Sequence, residues 1–297
     1  MSARFEAIVA GSHLRYDGVW QRPQHLLARL ARHVPVLLVE EPFTATAEAN
    51  EYREHDALTV LRPLRKRPEF DGVDMQTLEA VRMWLGERSA LFWLTTPMML
   101  PLADLPARTA LVYDCMDELS AFRFAPPALA QRERDLLREA DLVFAGGRTL
   151  YENRRAYGEK VRLYPSGVDF AFFASAQRVA AHRLFTPLER PIAGYFGVID
   201  ERIDLEILAA LAGGPLQTVM IGPLAKLDPR DLPRSPHLHF TGQIAYERLP
   251  AFLAGFDVAI MPFARNEATR SISPTKTPEY LAGRKPVVST PLTDVVS

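Results

Sequence analysis

The sequence predicts an α/β protein built on parallel sheets, and three observations lead to this prediction. Short apolar runs rich in β-branched residues alternate with amphipathic helical patterns along almost the whole chain, which is typical of strands joined by crossover helices. A Pro-Ser-Gly turn at 165–167 separates two series of such runs. The 297 residues suffice for two domains that each bury a core. We therefore expect two domains, at 1–170 and 171–297.

Each predicted domain contains its own series of strands. In the first, a helix begins at Pro23, where the N–H that proline lacks would be unpaired in any case. The polar segment Glu48–Asp56 is interpreted as a connection. The strands are predicted at 5–10, 36–40, 58–61, 90–94, 110–114, 141–145 and 161–164, and then at 192–196, 218–221, 238–240, 258–260 and 286–289. Strands of this kind with intervening helices predict open sheets.

Charge and cysteine content restrict the class of protein. The formal net charge is −1, so the chain has no overall field that would attract nucleic acid, and no nucleic-acid partner is expected. Cys115 is the single cysteine, which excludes a disulfide framework and favours the reducing cytoplasm. The N-terminus has no signal-peptide pattern, and no apolar run reaches the roughly 18 residues of a spanning helix. Peripheral contact with the inner face of the membrane stays open.

A stretch that begins at Ser271 joins hydroxyl groups, Lys276 and Glu279 to the start of a short helix between two predicted strands. A helix N-terminus offers unpaired backbone N–H groups and a partial positive charge, so hydroxyls and a lysine there suit an anionic ligand such as a diphosphate. Glu279 would lie one turn further along, within reach of a sugar hydroxyl. In the alternative interpretation, Glu279 only complements the helix dipole and Lys276 is solvated.

The turn after the first strand of the second domain is another candidate for phosphate binding. Gly197 at a strand end lets the backbone approach a ligand closely, and Arg202 could make a forked contact to phosphate. Alternatively, Arg202 pairs with Asp200, Asp204 or Glu206. The pattern is not a Gly-x-Gly-x-x-Gly fingerprint, so a dinucleotide cofactor has little support.

Five segments in a particular order make a family resemblance specific. They are Val168-Asp169 after Pro-Ser-Gly, Gly194-Tyr-Phe-Gly197, His239-Phe-Thr-Gly-Gln-Ile244, Asp257-Val-Ala-Ile-Met-Pro262, and Glu279-Tyr-Leu-Ala with the later Pro286-Val-Val. In this order they resemble the segments of retaining, nucleotide-sugar-dependent glycosyltransferases of the GT-B fold, similar to glycosyltransferase family 4. The resemblance covers nearly the whole chain and is stronger in its second half. It implies two facing Rossmann-like domains with parallel sheets.

The resemblance assigns the nucleotide sugar to the second domain. It implies that Arg202 and Lys276 are the catalytic cations for the donor diphosphate and that Glu279 binds the ribose. Fixed positive groups would stabilise the charge that develops on the leaving diphosphate. Members of the family generally use no metal, and no Asp-x-Asp pattern ends a strand here, so no metal and no cofactor are expected. The other implied donor-binding residues are Gly197, Gly242, Ile244, Ser271, Ser273 and Thr275.

The first domain is expected to bind the acceptor, a glycan or a lipid-linked precursor. An open α/β sheet binds ligands at the carboxyl ends of its strands, which selects polar residues in the loops that follow them. Asp117 is the preferred catalytic residue on this side, and His13 is the one that is more readily explained as an ordinary surface histidine. The remaining candidates are Arg15, Gln21, Arg22 and Asp114.

Three features depart from the family pattern. Ser271 stands eight residues before Glu279, where many retaining members have a second glutamate that faces the transferred sugar. Val198 follows Gly197, where many relatives have an arginine. The family also continues with further helices beyond the position of Ser297, so the second domain is expected to be incomplete at its C-terminus.

These residues favour transfer of a hexose from a nucleotide-diphosphate sugar, with retention and without a metal. A uridine diphosphate sugar is expected because it is the most frequent donor in the family, and guanosine and adenosine donors stay open. Two alternatives stay open. A sugar-nucleotide epimerase of the same fold would need an acid/base pair at the sugar, and Ser271 in place of a carboxylate argues mildly against one. A non-catalytic relative would bind the nucleotide sugar without reaction.

Overall fold

A computed structural model describes residues 5–55, 58–68 and 72–296 of the chain. The chain divides into two compact units, Met1–Pro165 and Ser166–Ser297. Each unit is built on its own sheet, with nine strands in the described part of the first and five in that of the second.

The first unit holds a sheet that is parallel except at one edge. Its strands are β1 (Ala7–Ser12), β2 (Val36–Glu40), β3 (Phe43–Thr44), β4 (Ala49–His55), β5 (Leu58–Arg65), β6 (Ala90–Leu94), β7 (Arg108–Cys115), β8 (Leu142–Ala145) and β9 (Val161–Leu163). Their order is β3-β5-β2-β1-β6-β7-β8-β9, with β4 paired to β5. Every residue of β1 and β2 is buried, because both faces of the sheet are covered.

Helices cover both faces of this sheet. They are α1 (Arg22–Leu30), α2 (Met75–Leu85), α3 (Leu129–Glu139) and α4 (Arg148–Arg154). One apolar cluster includes Leu27 of α1 and Val112 of β7, and another includes Leu136 of α3 and Tyr113, the next residue of β7. Alternate residues of β7 therefore face opposite sides of the sheet, as expected of a central strand.

The prediction of a connection over Glu48–Asp56 is wrong. Residues Ala49–His55 form β4, which pairs antiparallel with β5 from Ala49↔Leu64 to His55↔Leu58. The strand was missed because it lies at the sheet edge, where half-exposed polar side chains are tolerated and backbone pairing alone defines the element. The short strand β3 was not predicted either.

A buried arginine ties β4, β5 and α2 together at this edge. Arg65 is 4% exposed, and its guanidinium bonds to both carboxylate oxygens of Asp74, to Asn50 Oδ1 (3.0 Å) and to Thr77 Oγ1 (2.9 Å). Asp74 also caps α2 by accepting the N–H of Thr77 at 2.7 Å. These bonds, with that of Arg65 the largest cause, lower the pKa of Asp74 from 3.8 to about 2.

We expect Asp74→Asn to lower the free energy of unfolding at neutral pH, and we expect this loss to disappear in acid. The folded pKa lies below the unfolded one, so the carboxylate stabilises the fold above pH 3.8, and this contribution is lost as the pH falls from 3.8 to about 2. Urea unfolding of both proteins across this range checks the prediction. A difference that stays constant with pH would contradict it. Asp135→Asn, which removes an exposed partner of Arg138, is the control and should change stability by less than about 0.5 kcal/mol.

The second unit contains a fully parallel sheet. Its strands are β10 (Ile192–Phe196), β11 (Gln217–Ile221), β12 (Leu238–Phe240), β13 (Val258–Met261) and β14 (Val287–Ser289), and its helices are α5 (Phe170–Ala174), α6 (Leu205–Gly213), α7 (Leu249–Gly255), α8 (Lys276–Ala282) and α9 (Thr293–Val296). The strand order is β12-β11-β10-β13-β14.

In each unit the order of the strands reverses beside the first strand, between β1 and β6 and between β10 and β13. Open α/β sheets bind ligands at the carboxyl ends of their strands next to such a reversal. The loops that follow β10 to β14, and those that follow β1 to β9, are therefore where the functional residues should be sought.

Candidate functional site

Three glycine turns lie side by side at the carboxyl ends of β10, β11 and β12. Gly197, Gly222 and Gly242 have φ of 148°, 143° and 72°, which favour glycine. Gly197 N donates to Ile221 O at 2.8 Å, and Gly222 N donates to Gly242 O at 2.9 Å. A Cβ at Gly222 would overlap the carbonyl oxygen of Gly197. The carboxyl ends of these strands are therefore followed by closely packed backbone that carries no side chains.

Gly222 was not among the residues predicted from the sequence. Like Gly197, it directly follows the last residue of a buried strand, Ile221 in this case. The same pattern of a strand followed by glycine could have identified it.

The structure places Lys276 against the first of these turns. Lys276 begins α8, and a Cβ added to Gly197 would fall onto the lysine Cε and lie 2.9 Å from its Nζ. The fold therefore brings together two residues of the predicted diphosphate site that lie far apart in the sequence. A side chain at position 197 would displace the lysine from this place, and the φ of 148° disfavours any residue but glycine there.

Glu279 lies one turn further along α8 and is 9% exposed. Burial raises the pKa of its carboxyl above the usual value, while the charge of Lys276 and a hydrogen bond from Thr275 act in the opposite direction. A buried carboxylate costs free energy when it is ionised. The ionised carboxylate of Glu279 therefore lowers the free energy of unfolding. Ionisable groups with shifted pKa values of this kind are frequent at ligand-binding sites.

Tyr195 connects the groups around the turn. Its side chain is 1% exposed and its hydroxyl donates to Val198 O at 3.0 Å. Burial raises the pKa of Tyr195, and the charges of Arg202, Asp200 and Glu279 each act on it. These charged groups therefore surround the same end of β10.

Arg202 lies on the turn that follows Gly197 and is paired with an acid. Its Nε is 2.9 Å from Asp200 Oδ1, and its Nη2 is 2.7 Å from Asp200 Oδ2. Of the three acids considered from the sequence, Asp200 is the one that the structure pairs with it. This bidentate contact fixes the plane of the guanidinium.

The other residues predicted to bind the donor occupy the same edge of the unit or the loop before α8. Gly242 forms the third glycine turn, and Ile244 packs against the apolar core. Ser271 is 3% exposed, Ser273 is half-buried, and Thr275 is the residue before α8. Across residues 5–55, 58–68 and 72–296, no group of three or more His, Cys, Asp or Glu residues is arranged to hold a metal ion.

In the first unit, Asp114 forms a buried ion pair with Arg22 near the carboxyl end of β7. The aspartate is fully buried, and Arg22 Nε is 2.9 Å from its Oδ1. Trp93 Nε1 donates to Asp114 at 3.2 Å, and Arg22 Nη1 donates to Tyr164 O at 2.6 Å. Burial raises the pKa of Asp114, and the contacts with Arg22 and Trp93 oppose this effect. The pair joins the start of α1 to the ends of β7 and β9.

The remaining candidates of the first unit lie in the loops after β1 and β7. His13 is half-buried just beyond β1, and Gln21 precedes α1 and donates its N–H to Gln24 Oε1 at 3.1 Å. Asp117 is half-buried two residues after β7, and its carbonyl accepts the Cys115 thiol at 3.7 Å. Arg15 makes a cation–π contact within the unit, with its guanidinium 3.6 Å from the centre of the Phe43 ring.

Two buried residues of the first unit were missed from the sequence. Glu40 is fully buried at the end of β2 and accepts the N–H of Tyr16 at 2.8 Å and Arg62 Nε at 2.8 Å. Gln24 donates to Arg15 O at 3.1 Å. Both hold the loop after β1, and their roles depend on contacts that the sequence does not show.

Comparison with known proteins agrees with this architecture. No family model matches the chain. It is 26% identical over 225 residues to TuaH of Bacillus subtilis strain 168, whose name describes a glycosyltransferase of teichuronic acid biosynthesis. The match covers 70% of this chain and 56% of TuaH, so the chain spans little more than half the length of that relative.

Two solved structures resemble nearly the whole chain. Sucrose-phosphate synthase from Thermosynechococcus elongatus has a TM-score of 0.73 at 17% identity, with 97% of this chain and 82% of that chain covered. HepE of Anabaena in complex with UDP-glucose has a TM-score of 0.67 at 16% identity, with 98% and 82% covered. The predicted α/β fold is confirmed, and the chain shares the GT-B fold of these two structures, with two Rossmann-like units.

Proposed function

We propose that the chain is a glycosyltransferase that transfers a hexose from a nucleotide-diphosphate sugar, with a uridine diphosphate sugar as the preferred donor. The observation that carries this proposal is the placement of Lys276 and the buried Glu279 on one short helix beside the Gly197 turn. A cation next to bare backbone suits a diphosphate, and a carboxylate one turn away suits the two hydroxyls of a ribose. The UDP-glucose complex of HepE supports the same donor class, and the similarity to TuaH supports glycosyl transfer.

The proposed chemistry breaks the bond between the anomeric carbon and the diphosphate oxygen and forms a bond from that carbon to an acceptor hydroxyl oxygen. The nucleoside diphosphate leaves as an anion, and the hydroxyl proton passes to one of its phosphate oxygens. Lys276 and Arg202 are proposed to stabilise the charge that develops on the diphosphate, without a metal ion. Transfer with retention of the anomeric configuration is proposed from the family resemblance.

The acceptor is proposed to be a glycan or a lipid-linked precursor that binds to the first unit. The supporting observation is that Asp114, Arg22 and Asp117 gather around the carboxyl end of β7, where open sheets bind their ligands. Among these, Asp117 is half-buried and therefore more accessible than Asp114, which is fully buried. We assign hydrogen bonding of the acceptor hydroxyl to Asp117. No helix of the described residues could span a membrane.

Calorimetric titration of the chain with UDP, GDP and ADP tests the donor proposal. We expect UDP to bind more tightly than the other two, and no binding of any of the three to the folded chain would overturn the proposal. Incubation with UDP-glucose then separates the reaction classes. Release of UDP supports a transferase, since water can replace the acceptor, whereas formation of an epimer with the nucleotide sugar intact identifies an epimerase. Binding without either reaction identifies a non-catalytic relative.

A further inference from the structure

Strands β10 and β13 part before they reach the glycine turn. Pairing between them includes Ala193↔Val258 and Gly194↔Ala259 and goes no further, whereas β10 pairs with β11 as far as Phe196↔Ile221. Backbone amides alternate sides along a strand, and Gly197 N points to β11, where it donates to Ile221 O. The N–H of Phe196 therefore faces the gap on the β13 side.

A tyrosine hydroxyl fills this gap. Phe196 N donates to the hydroxyl oxygen of Tyr280 at 3.0 Å, and Tyr280 is fully buried. A buried N–H without an acceptor would cost about 1–3 kcal/mol, and a buried hydroxyl is costly unless it is hydrogen-bonded. The bond therefore gives the Phe196 N–H its acceptor, and it depends on the position of α8 along the end of β10.

Tyr280 belongs to the same helix as the two candidate ligand-binding side chains. It is next to Glu279 and one turn from Lys276, and its bond to Phe196 is one residue away from Gly197. On the other side of the turn, the Tyr195 hydroxyl holds Val198 O at 3.0 Å. One buried hydroxyl thus bonds the helix to the end of β10, and another holds the turn that follows this strand.

We propose that Tyr280 is a positioning residue for the diphosphate: its hydroxyl, seated between β10 and β13, sets α8 so that Lys276 lies against the Gly197 turn. This inference rests on the proposed function, because it presumes that a diphosphate binds there. The ring of Tyr280 supplies packing that phenylalanine would supply equally. The hydroxyl, through its bond with Phe196 N, fixes the position of α8 along the end of β10.

The test compares UDP with uridine in Tyr280→Phe. We expect UDP affinity to fall by about two- to tenfold more than uridine affinity, since one buried hydrogen bond is lost and the lysine no longer has a fixed position. Tyr113→Phe is the matched control, because Tyr113 is 1% exposed in the first unit and its hydroxyl donates to Glu133 at 2.9 Å. Both variants should lose stability to thermal unfolding, but Tyr113→Phe should leave the ratio of UDP to uridine affinity unchanged.

A double-mutant cycle shows whether Tyr280 acts through Lys276. In the Lys276→Ala background, Tyr280→Phe should change the affinity ratio by less than about twofold, the usual limit of additivity. If wild type binds UDP and Tyr280→Phe leaves the ratio as it is, the positioning role is overturned while the proposed function stands. The positioning role is also overturned if Tyr280→Phe changes the ratio of UDP to uridine affinity as strongly in the Lys276→Ala background as in wild type. If folded wild type binds none of UDP, GDP and ADP, both proposals are overturned.

Discussion

Glu279→Ala is expected to weaken UDP binding by about 1–3 kcal/mol, which corresponds to about 5- to 150-fold, because it removes a charged group that would accept hydrogen bonds from the ribose. Uridine binding should weaken by a similar factor, since uridine carries the same ribose. Calorimetric titration of wild type and variant with both ligands measures the two losses. An unchanged affinity for UDP in a folded variant would remove Glu279 from the binding site.

Glu279→Gln distinguishes a ligand-binding role from a structural one. Burial raises the pKa of Glu279 in the folded protein, so the folded state binds more protons than the unfolded state between the two pKa values. Stability then decreases as the pH rises through this range, and at neutral pH the charged carboxylate destabilises the fold. Glu279→Gln should therefore unfold at no lower urea concentration than wild type and yet bind UDP more weakly. A loss of stability with unchanged binding would favour the structural role.

Several interior strands could be predicted to the residue. The structure has strands at Val36–Glu40, Ala90–Leu94 and Ile192–Phe196, the bounds predicted from the sequence. Interior strands of parallel sheets are buried on both faces, so they appear in the sequence as continuous apolar runs. The edge strand β4 gives no such signal, because its polar side chains are half-exposed and its stability comes from backbone pairing with β5.

The residue types of the candidate site could also be predicted, but not their pairing. Gly197 and Lys276 were singled out separately, and only the structure shows that the lysine stem lies where a side chain at Gly197 would be. Similarly, the sequence left three acids as partners for Arg202. The choice of Asp200 depends on the backbone of the turn, which brings Arg202 N within 3.0 Å of Asp200 Oδ1.

Contacts between distant positions were the least predictable. Arg22 and Asp114 were both selected as polar residues near strand ends, yet nothing in the sequence indicates that they form one ion pair across 92 positions. The pair exists because α1 starts beside the carboxyl end of β7, which is a consequence of the strand order. An ion pair this buried stabilises a fold only when its geometry is good, so removing one partner should cost more than removing both.

Lys276→Ala is expected to weaken UDP binding by about 1.5–3 kcal/mol, about 10- to 150-fold, and to leave uridine binding within about twofold. The reason is that a hydrogen bond to a charged phosphate is lost, whereas uridine has no phosphate. Lys276→Met separates charge from packing, because it keeps an unbranched stem over Gly197. We expect it to lose UDP affinity as Lys276→Ala does while retaining more stability, as judged by titration and thermal unfolding.

Arg190→Ala controls for the change in net charge, because Arg190 lies two residues before β10, at the opposite end of that strand, and pairs there with Asp257. It should reduce UDP affinity by less than about twofold, since screening weakens charge effects beyond about 10 Å. Equal losses for UDP and uridine in Lys276→Met would mean that the lysine supports the fold of the turn rather than the diphosphate. A loss confined to UDP would mean that the turn is intact and that the missing charge is what the diphosphate requires, because the methionine stem still fills the space above Gly197.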